Sequence, residues 1–310
     1  MIMNVERRQG TQVEGTFRVH RPVRRVARNH ATYQVCMLQD RTGKIPAYAW
    51  SDRYQGVSLE DKQLVAISGK MRWFGDRWYI DLSAAEQAGS ADNPFRFLPD
   101  DYCPIQGCVS RLAAVVDQLE IRPLREFVLN VLRNDAIVVP LLAMPASRNH
   151  HHSYAGGLLE HSLECVEFVL RAAGQWGEQR ELAACAALVH DVGKIRTLDR
   201  SSGRLLGALL GHDLLTLELL AHPLAQLDQE WRDGGIALRY LLSWKLQGRN
   251  GNRPLMTAAE LVQAADRISS GLHNEAALFR DTPAWRQLVS DEVGRKFWRP
   301  ILLTAGARSV

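Results

Sequence analysis

Cysteine is scarce in this 310-residue chain: there are five, and no two form a C-x-x-C pair. An odd, scattered set argues for reduced thiols over a disulfide framework, and Cys165 and Cys185, set in helical patterns, read as core residues. Long apolar runs are missing too. No stretch approaches the roughly 20 residues that span a bilayer, and the opening MIMNVERRQG lacks the apolar centre of a secretory signal. These absences point to a cytoplasmic protein with no membrane partner. Internal repeats, low-complexity segments and heptad runs are likewise lacking, which excludes solenoids and coiled coils. An excess of one charge is nearly absent, since 38 Lys and Arg stand against 34 Asp and Glu for a net +4. The distribution says more than the sum. RVHRPVRRVARNH carries Arg18, Arg21, Arg24, Arg25 and Arg28 with no acidic residue among them; such a cluster can neutralise backbone phosphates, and it equally suits a solvated strand edge.

What is present is an ordinary globular composition, 46% hydrophobic and 23% charged, at a length beyond the roughly 100 to 200 residues of one domain. Two domains are therefore expected. Residues 13–88 alternate in short runs broken at Thr42-Gly43, Gly56, Gly69 and Gly75-Asp76, the pattern of about five short strands in a small barrel or sandwich. The hairpins LQDRTGKIPAYAW and GKMRWFGDRWYIDL resemble those of the OB-fold, a nucleic-acid-binding barrel. The resemblance implies that Tyr33, Tyr48, Trp50, Trp73 and Trp78 stack on bases beside the arginines; packing into the barrel core is their competing fate. A segment rich in small residues, Asp and Pro at 91–104 reads as a linker, with Phe95 and Phe97 able to dock it. Beyond it the apolar period becomes helical over 105–119, 123–133, 136–142, 156–173, 178–190, 205–221, 228–246 and 258–272. The expected fold is thus a multi-domain α+β chain: a small β-barrel at 1–90, the linker, and an all-α bundle with a C-terminal extension at 105–310.

Chemistry concentrates in LAACAALVHDVGK, where an apolar helix ends in His190-Asp191 and Gly193-Lys194 follows. Adjacent imidazole and carboxylate groups at a helix end can face one cation. His161 lies on the preceding helix, GGLLEHSLECVEFVL, and Asp266 on a later one, AAELVQAADRIS. This H…HD…D order resembles the HD superfamily of metal-dependent phosphohydrolases. The resemblance implies that His161, His190, Asp191 and Asp266 ligate a metal. It implies further that Lys194 holds a substrate phosphate, that Asp191 orients the attacking water, and that His212, in LLGHDLL, binds phosphate or acts as general acid. Mn, Fe, Co, Ni and Zn all suit such ligands, and one ion per chain is expected. Within the superfamily, NHHH, GGLLEHSLEC and HDVGK are similar to the YhaM-type 3′-5′ exoribonucleases, which also place an OB-fold first, and to TraI-type HD domains, which share the triple histidine.

The chain departs from the YhaM-type pattern at Ser243 and Trp244, where a His-His pair is expected. His150, His151 and His152 follow Pro145 in a loop, and at most one or two of three consecutive side chains can face one cation. They read, with Arg148, as phosphate or base contacts at the cleft mouth or, equally, as a solvated or capping loop, while His222 and His273 read as capping or surface residues. The resemblance implies a metal-dependent 3′-5′ exonuclease on single-stranded nucleic acid, RNA in preference to DNA, with contacts from Arg21, Arg24, Arg25, Arg28, Tyr33, Trp50, Trp73, Arg148, His150 and His151. Two alternatives stay open: a nucleic-acid-binding protein whose metal site is structural, and a phosphohydrolase of free nucleotides. The oligomeric state stays open with them.

Overall fold

The computed structural model describes residues 7–88, 93–198, 203–244, 254–291 and 294–300. The chain divides into two compact units, Met1–Arg125 and Glu126–Val310.

The first unit is built on strands β1 (Gln12–Val26), β2 (Thr32–Asp40), β3 (Gly43–Trp50), β4 (Gln55–Gly56), β5 (Leu64–Phe74) and β6 (Arg77–Gln87). Their order is β3-β2-β1-β5-β6, and β3 pairs in parallel with β6 through Ala47 to Ala49 against Ile80 to Leu82. Five strands therefore close into an OB-like barrel, with β4 a two-residue addition on β6. Alternation in the sequence decides which side chains face in. Along β3, Ile45, Ala47 and Ala49 are buried while Pro46, Tyr48 and Trp50 are only half-buried. The inward set joins Val13, Phe17, Val19, Leu38, Ile67, Met71 and Leu82 in one core. Asp40 shapes the β2–β3 turn, its Oδ1 accepting from the Thr42 amide at 2.8 Å and the Thr42 hydroxyl at 2.6 Å.

Part of the expected linker is packed. Asn93 caps a 3₁₀ turn at Pro94–Phe97, Phe95 is buried, and Asn93 Nδ2 donates to the Ala113 carbonyl of α1 (Cys108–Asp117) at 2.7 Å. These contacts hold α1 to the first unit, so the division between units falls inside α2 (Arg122–Arg133), beyond the 91–104 segment that composition singles out.

The second unit continues with α3 (Asp135–Ala143), α4 (Gly157–Ala172), α5 (Glu178–Val189), α6 (Lys194–Thr197), α7 (Gly203–Leu209), α8 (Gly211–Leu219), α9 (Ala221–Glu230), α10 (Arg232–Ser243) and α11 (Thr257–Arg280). A short hairpin of β7 (Leu288–Ser290) and β8 (Lys296–Trp298) follows. The alanine-rich α5 is buried from Glu181 to Val189 and is flanked by α4 and α11. Three helical expectations need correction. The run 205–221 is not one helix, because Gly211 at φ +72° breaks it into α7 and α8. The run 228–246 is interrupted at Trp231, whose extended backbone (φ −153°, ψ 87°) ends α9. The helix expected at 258–272 runs on to Arg280. A final helix or extended tail was open for the C-terminus; residues 296–298 form β8, and 301–310 lie outside the described residues.

Candidate functional site

The HD turn is held from two sides. At the end of α5, His190 Nδ1 donates to the Ala187 carbonyl one helical turn back, at 2.8 Å, which leaves Nε2 facing away from the helix. From α8 the buried Thr216 hydroxyl donates to the His190 carbonyl at 3.0 Å and accepts from the Gly193 amide at 3.0 Å. Only glycine fits at 193, since a Cβ there would stand 2.0 Å from the His212 carbonyl oxygen and 2.7 Å from the Thr216 nitrogen. This close approach brings His212, also on α8, to within 3.3 Å of Asp191, Nε2 to Oδ1.

Around that turn the four residues of the H…HD…D pattern converge. His161 Nε2 lies 3.4 Å from both Asp191 Oδ2 and Asp266 Oδ1, and His190 Nε2 lies 3.3 Å from Asp191 Oδ2 and 3.9 Å from Asp266 Oδ1. One donor atom from each of the four falls within 4.8 Å of the others, so this cluster can hold a metal ion. His161, His190 and Asp191 are buried. One of the donors is orphaned: His190 Nε2 has no protein hydrogen bond of acceptable geometry, while Asp191 Oδ2 is met by the Lys194 ammonium at 2.6 Å. A buried polar atom left in this condition is costly unless a ligand meets it, and two imidazoles with two carboxylates suit a borderline divalent cation.

The electrostatics agree. Burial pushes the Asp191 carboxyl up, but His190, Lys194 and the hydrogen bond to His161 outweigh it and hold the group well below the usual carboxylate range. Burial lowers His161, yet hydrogen bonds to Asp191 and Asp266 raise it to about 11. The negative charge gathered here attracts a proton, and a cation can take that proton's place. Behind His161, its Nδ1 lies 2.9 Å from Ser269 Oγ, and the Ser269 hydroxyl donates to Glu164 Oε2 at 2.6 Å.

A cleft of about 350 Å³ opens onto this cluster, lined among others by His151, Asp191, Lys194, His212, Asp266, Arg267 and Arg295. The triple histidine divides. His150 is exposed; His151 lines the cleft, lowered to about 4 chiefly by burial and next by Lys194. His152 is fully buried, its ring stacked on His273 at 4.3 Å and its Nε2 3.3 Å from Glu164. His273, expected at the surface, is therefore packed on the loop. Arg148 donates to the Thr197 carbonyl at 2.9 Å. Arg267 and Arg295 also line the cleft; neither is among the residues that the sequence singles out for substrate contact, and nothing local marks Arg295. Ser243 and Trp244 are absent from the cleft lining, and Trp244 packs 5.6 Å from the Tyr240 ring.

On the barrel, none of the five expected aromatic residues belongs to the buried core; Trp78, partly buried, packs against it. Tyr33 stacks on Trp50 at 4.5 Å and on Tyr48 at 6.0 Å, and Tyr48 meets Tyr79 edge-on at 5.0 Å. These rings, with Phe74 and Arg77, line a depression of about 430 Å³. Tyr33 also lines a second depression of about 370 Å³ with Arg24 and Arg25. Trp73 is 48% exposed at the β5–β6 hairpin and meets Trp78 edge-on at 5.2 Å. Arg21 and Arg28 are exposed and line neither depression; the Arg21 amide donates to Asp61.

Comparison with known proteins adds a likeness over part of the chain. Residues 158–271 match the HD domain model, the same superfamily that the H…HD…D order resembles. Along nearly its whole length the chain is similar to proteins named 3′-5′ exoribonuclease YhaM. It is 21% identical to that of Bacillus licheniformis over 303 residues, covering 94% of this chain and 96% of the relative. It is 21% identical to that of Bacillus subtilis over 305 residues, with the same coverage. It is 22% identical to that of Oceanobacillus iheyensis over 273 residues, covering 85% and 86%. No solved structure matches.

Proposed function

We propose that this protein is a metal-dependent 3′-5′ exonuclease that trims single-stranded nucleic acid, RNA in preference to DNA, at one divalent ion per HD site. The observation that carries the reading is the convergence of His161, His190, Asp191 and Asp266 within 4.8 Å at a cleft edged by Lys194, Arg267 and Arg295. The YhaM relatives support a nuclease and the choice of RNA.

A divalent ion in this cluster supplies Lewis-acid activation of water and neutralises charge on a phosphoryl group. The rest falls to the chain. Asp191 divides its oxygens: Oδ2 faces the imidazoles, and Oδ1, beside His212, is free to orient the attacking water. The Lys194 ammonium and the two cleft arginines meet the non-bridging oxygens of the scissile phosphate. His212, beside Asp191 Oδ1, delivers a proton to the departing 3′ oxygen as general acid. His151, held neutral, donates a hydrogen bond at the cleft wall. On the barrel, Tyr33, Tyr48 and Trp50 stack successive bases while Arg24 and Arg25 follow the backbone.

A second reading is favoured by Ser243 and Trp244, which stand at the end of α10 where a His-His pair is expected: the HD unit binds a metal but does not turn over. One experiment separates them. The purified protein is incubated with Mn²⁺, or with a chelator, on end-labelled single-stranded RNA and DNA, with Asp191→Ala as control. The expected result is an RNA ladder shortened from the 3′ end that vanishes with chelator and in the variant. Tight, salt-sensitive binding without cleavage sinks the exonuclease reading and leaves the binding module; hydrolysis of mononucleotides alone selects a nucleotide phosphohydrolase.

A further inference from the structure

We propose that Ser269 and Glu164 are positioning residues for the metal centre: together they fix the tautomer and ring orientation of His161, so that its Nε2 offers a lone pair to the cation that Asp191, His190 and Asp266 also face. The proposal rests on the reading that this cluster holds a divalent ion.

The argument is an accounting of protons. A serine hydroxyl has one proton to donate, and that of Ser269 goes to Glu164 Oε2 at 2.6 Å. All that Ser269 Oγ can then offer His161 Nδ1, at 2.9 Å, is a lone pair. Nδ1 must carry its own proton, and the ring's lone pair is assigned to Nε2, the atom 3.4 Å from both Asp191 and Asp266. His190 reaches the same state differently, by donating to the carbonyl of Ala187 in its own helix. That route exists because His190 sits at a helix end. His161 lies inside α4, where the backbone carbonyls are engaged in the helix, so its partner has to come from another element.

The spacing makes this possible. Ser269 follows Asp266 by three residues on α11, and Glu164 follows His161 by three on α4. On each helix a metal ligand and its supporting residue share one face. Without the Glu164 carboxylate, the Ser269 proton is free to turn toward Nδ1 and stabilise the wrong tautomer, with N–H on the metal side. Glu164 has a second contact, the buried His152 Nε2 at 3.3 Å, which ties the loop carrying His151 to the same carboxylate. Both contacts favour the ionised form and outweigh burial, leaving Glu164 below its ordinary range.

Outer partners of metal-bound histidines typically contribute about 10- to 100-fold in affinity. The test is titration of the full-length protein with Mn²⁺, read by calorimetry and by the paramagnetic resonance signal of free Mn²⁺, alongside the melting temperature of the metal-free protein. Ser269→Ala and Glu164→Ala are expected to weaken binding roughly 10- to 100-fold, while Ser269→Thr, which keeps a hydroxyl, restores most of it and the metal-free melting temperatures stay together. Wild-type affinity in Ser269→Ala overturns the proposal and leaves the metal reading intact. Equal loss in Ser269→Ala and Ser269→Thr, in step with a fall in melting temperature, also overturns it by reducing the pair to a packing role. Failure of the wild-type protein to take up Mn²⁺, Co²⁺, Ni²⁺ or Zn²⁺ removes the metal centre itself and this proposal with it.

Discussion

Trp50 shows how little of a residue's role its type decides. Its ring is half-buried on the outer side of β3 and pairs with Tyr33, so Trp50→Ala is expected to leave the barrel folded, losing about 0.5–1.5 kcal/mol from the aromatic pair. RNA binding should lose more, about 1–3 kcal/mol per stacked base. Fluorescence anisotropy with a labelled oligomer, in an Asp191→Ala background that prevents cleavage, measures the difference; unchanged affinity would remove Trp50 from the binding surface. The H…HD…D residues were legible in the sequence because each carries its own chemistry in a fixed order. Ser269, Glu164 and His152 were not. Ser269 meets His161 across 108 residues and Glu164 across 105, and a serine on a helix looks the same whether it faces water or an imidazole. The triple histidine drew attention for its spacing, yet its central member lines the cleft and its last is buried behind the centre.

At the scale of elements, the contact between the HD turn and α8 is the tightest constraint on the site. Gly193→Ala would drive a methyl group into the His212 carbonyl and the Thr216 amide. Overpacking of this kind costs about 1–3 kcal/mol, and here the relief has to come from moving α8 and with it His212. Urea unfolding should report the lost stability, and cleavage should fall further than stability alone accounts for. A variant as stable and active as the wild type would mean that the turn yields without moving His212. The strands and most helices were legible because alternation and the 3.6-residue period are strong over 13–88 and 105–190. The breaks were harder. Leu210 to Gly211 and Trp231 interrupt stretches whose apolar spacing continues across them, so periodicity reports the buried face and is silent about where the axis turns.

For the whole molecule, the distribution of thiols is informative. All five cysteines are buried, Cys36, Cys103 and Cys108 in the first unit and Cys165 and Cys185 in the second. Burial pushes the Cys36 thiol up to about 12 and Cys185 higher still, so neither forms a thiolate near neutrality. A thiol-reactive chromophore should therefore find no reactive cysteine in the native protein at pH 8 and all five in denaturant. Rapid reaction of a subset under native conditions would show that one unit opens on its own. The expected two-part plan was readable from the change of period near residue 90, while the extent of the first unit was not, because α1 has the same helical signature as the bundle and is held to the barrel's unit through Asn93.

The parallel seam between β3 and β6 spans only three residue pairs, yet it alone closes the barrel. On the ribosome, β3 is complete at Trp50 and its partner does not emerge until about thirty residues later. At ~5–20 residues per second, the β1–β3 meander thus waits on the order of seconds with its β3 edge unsatisfied, beside aromatic rings that any passing strand can use. The nascent chain is most open to misassembly in that interval, and it is β6, the last strand of the barrel to be made, that ends it.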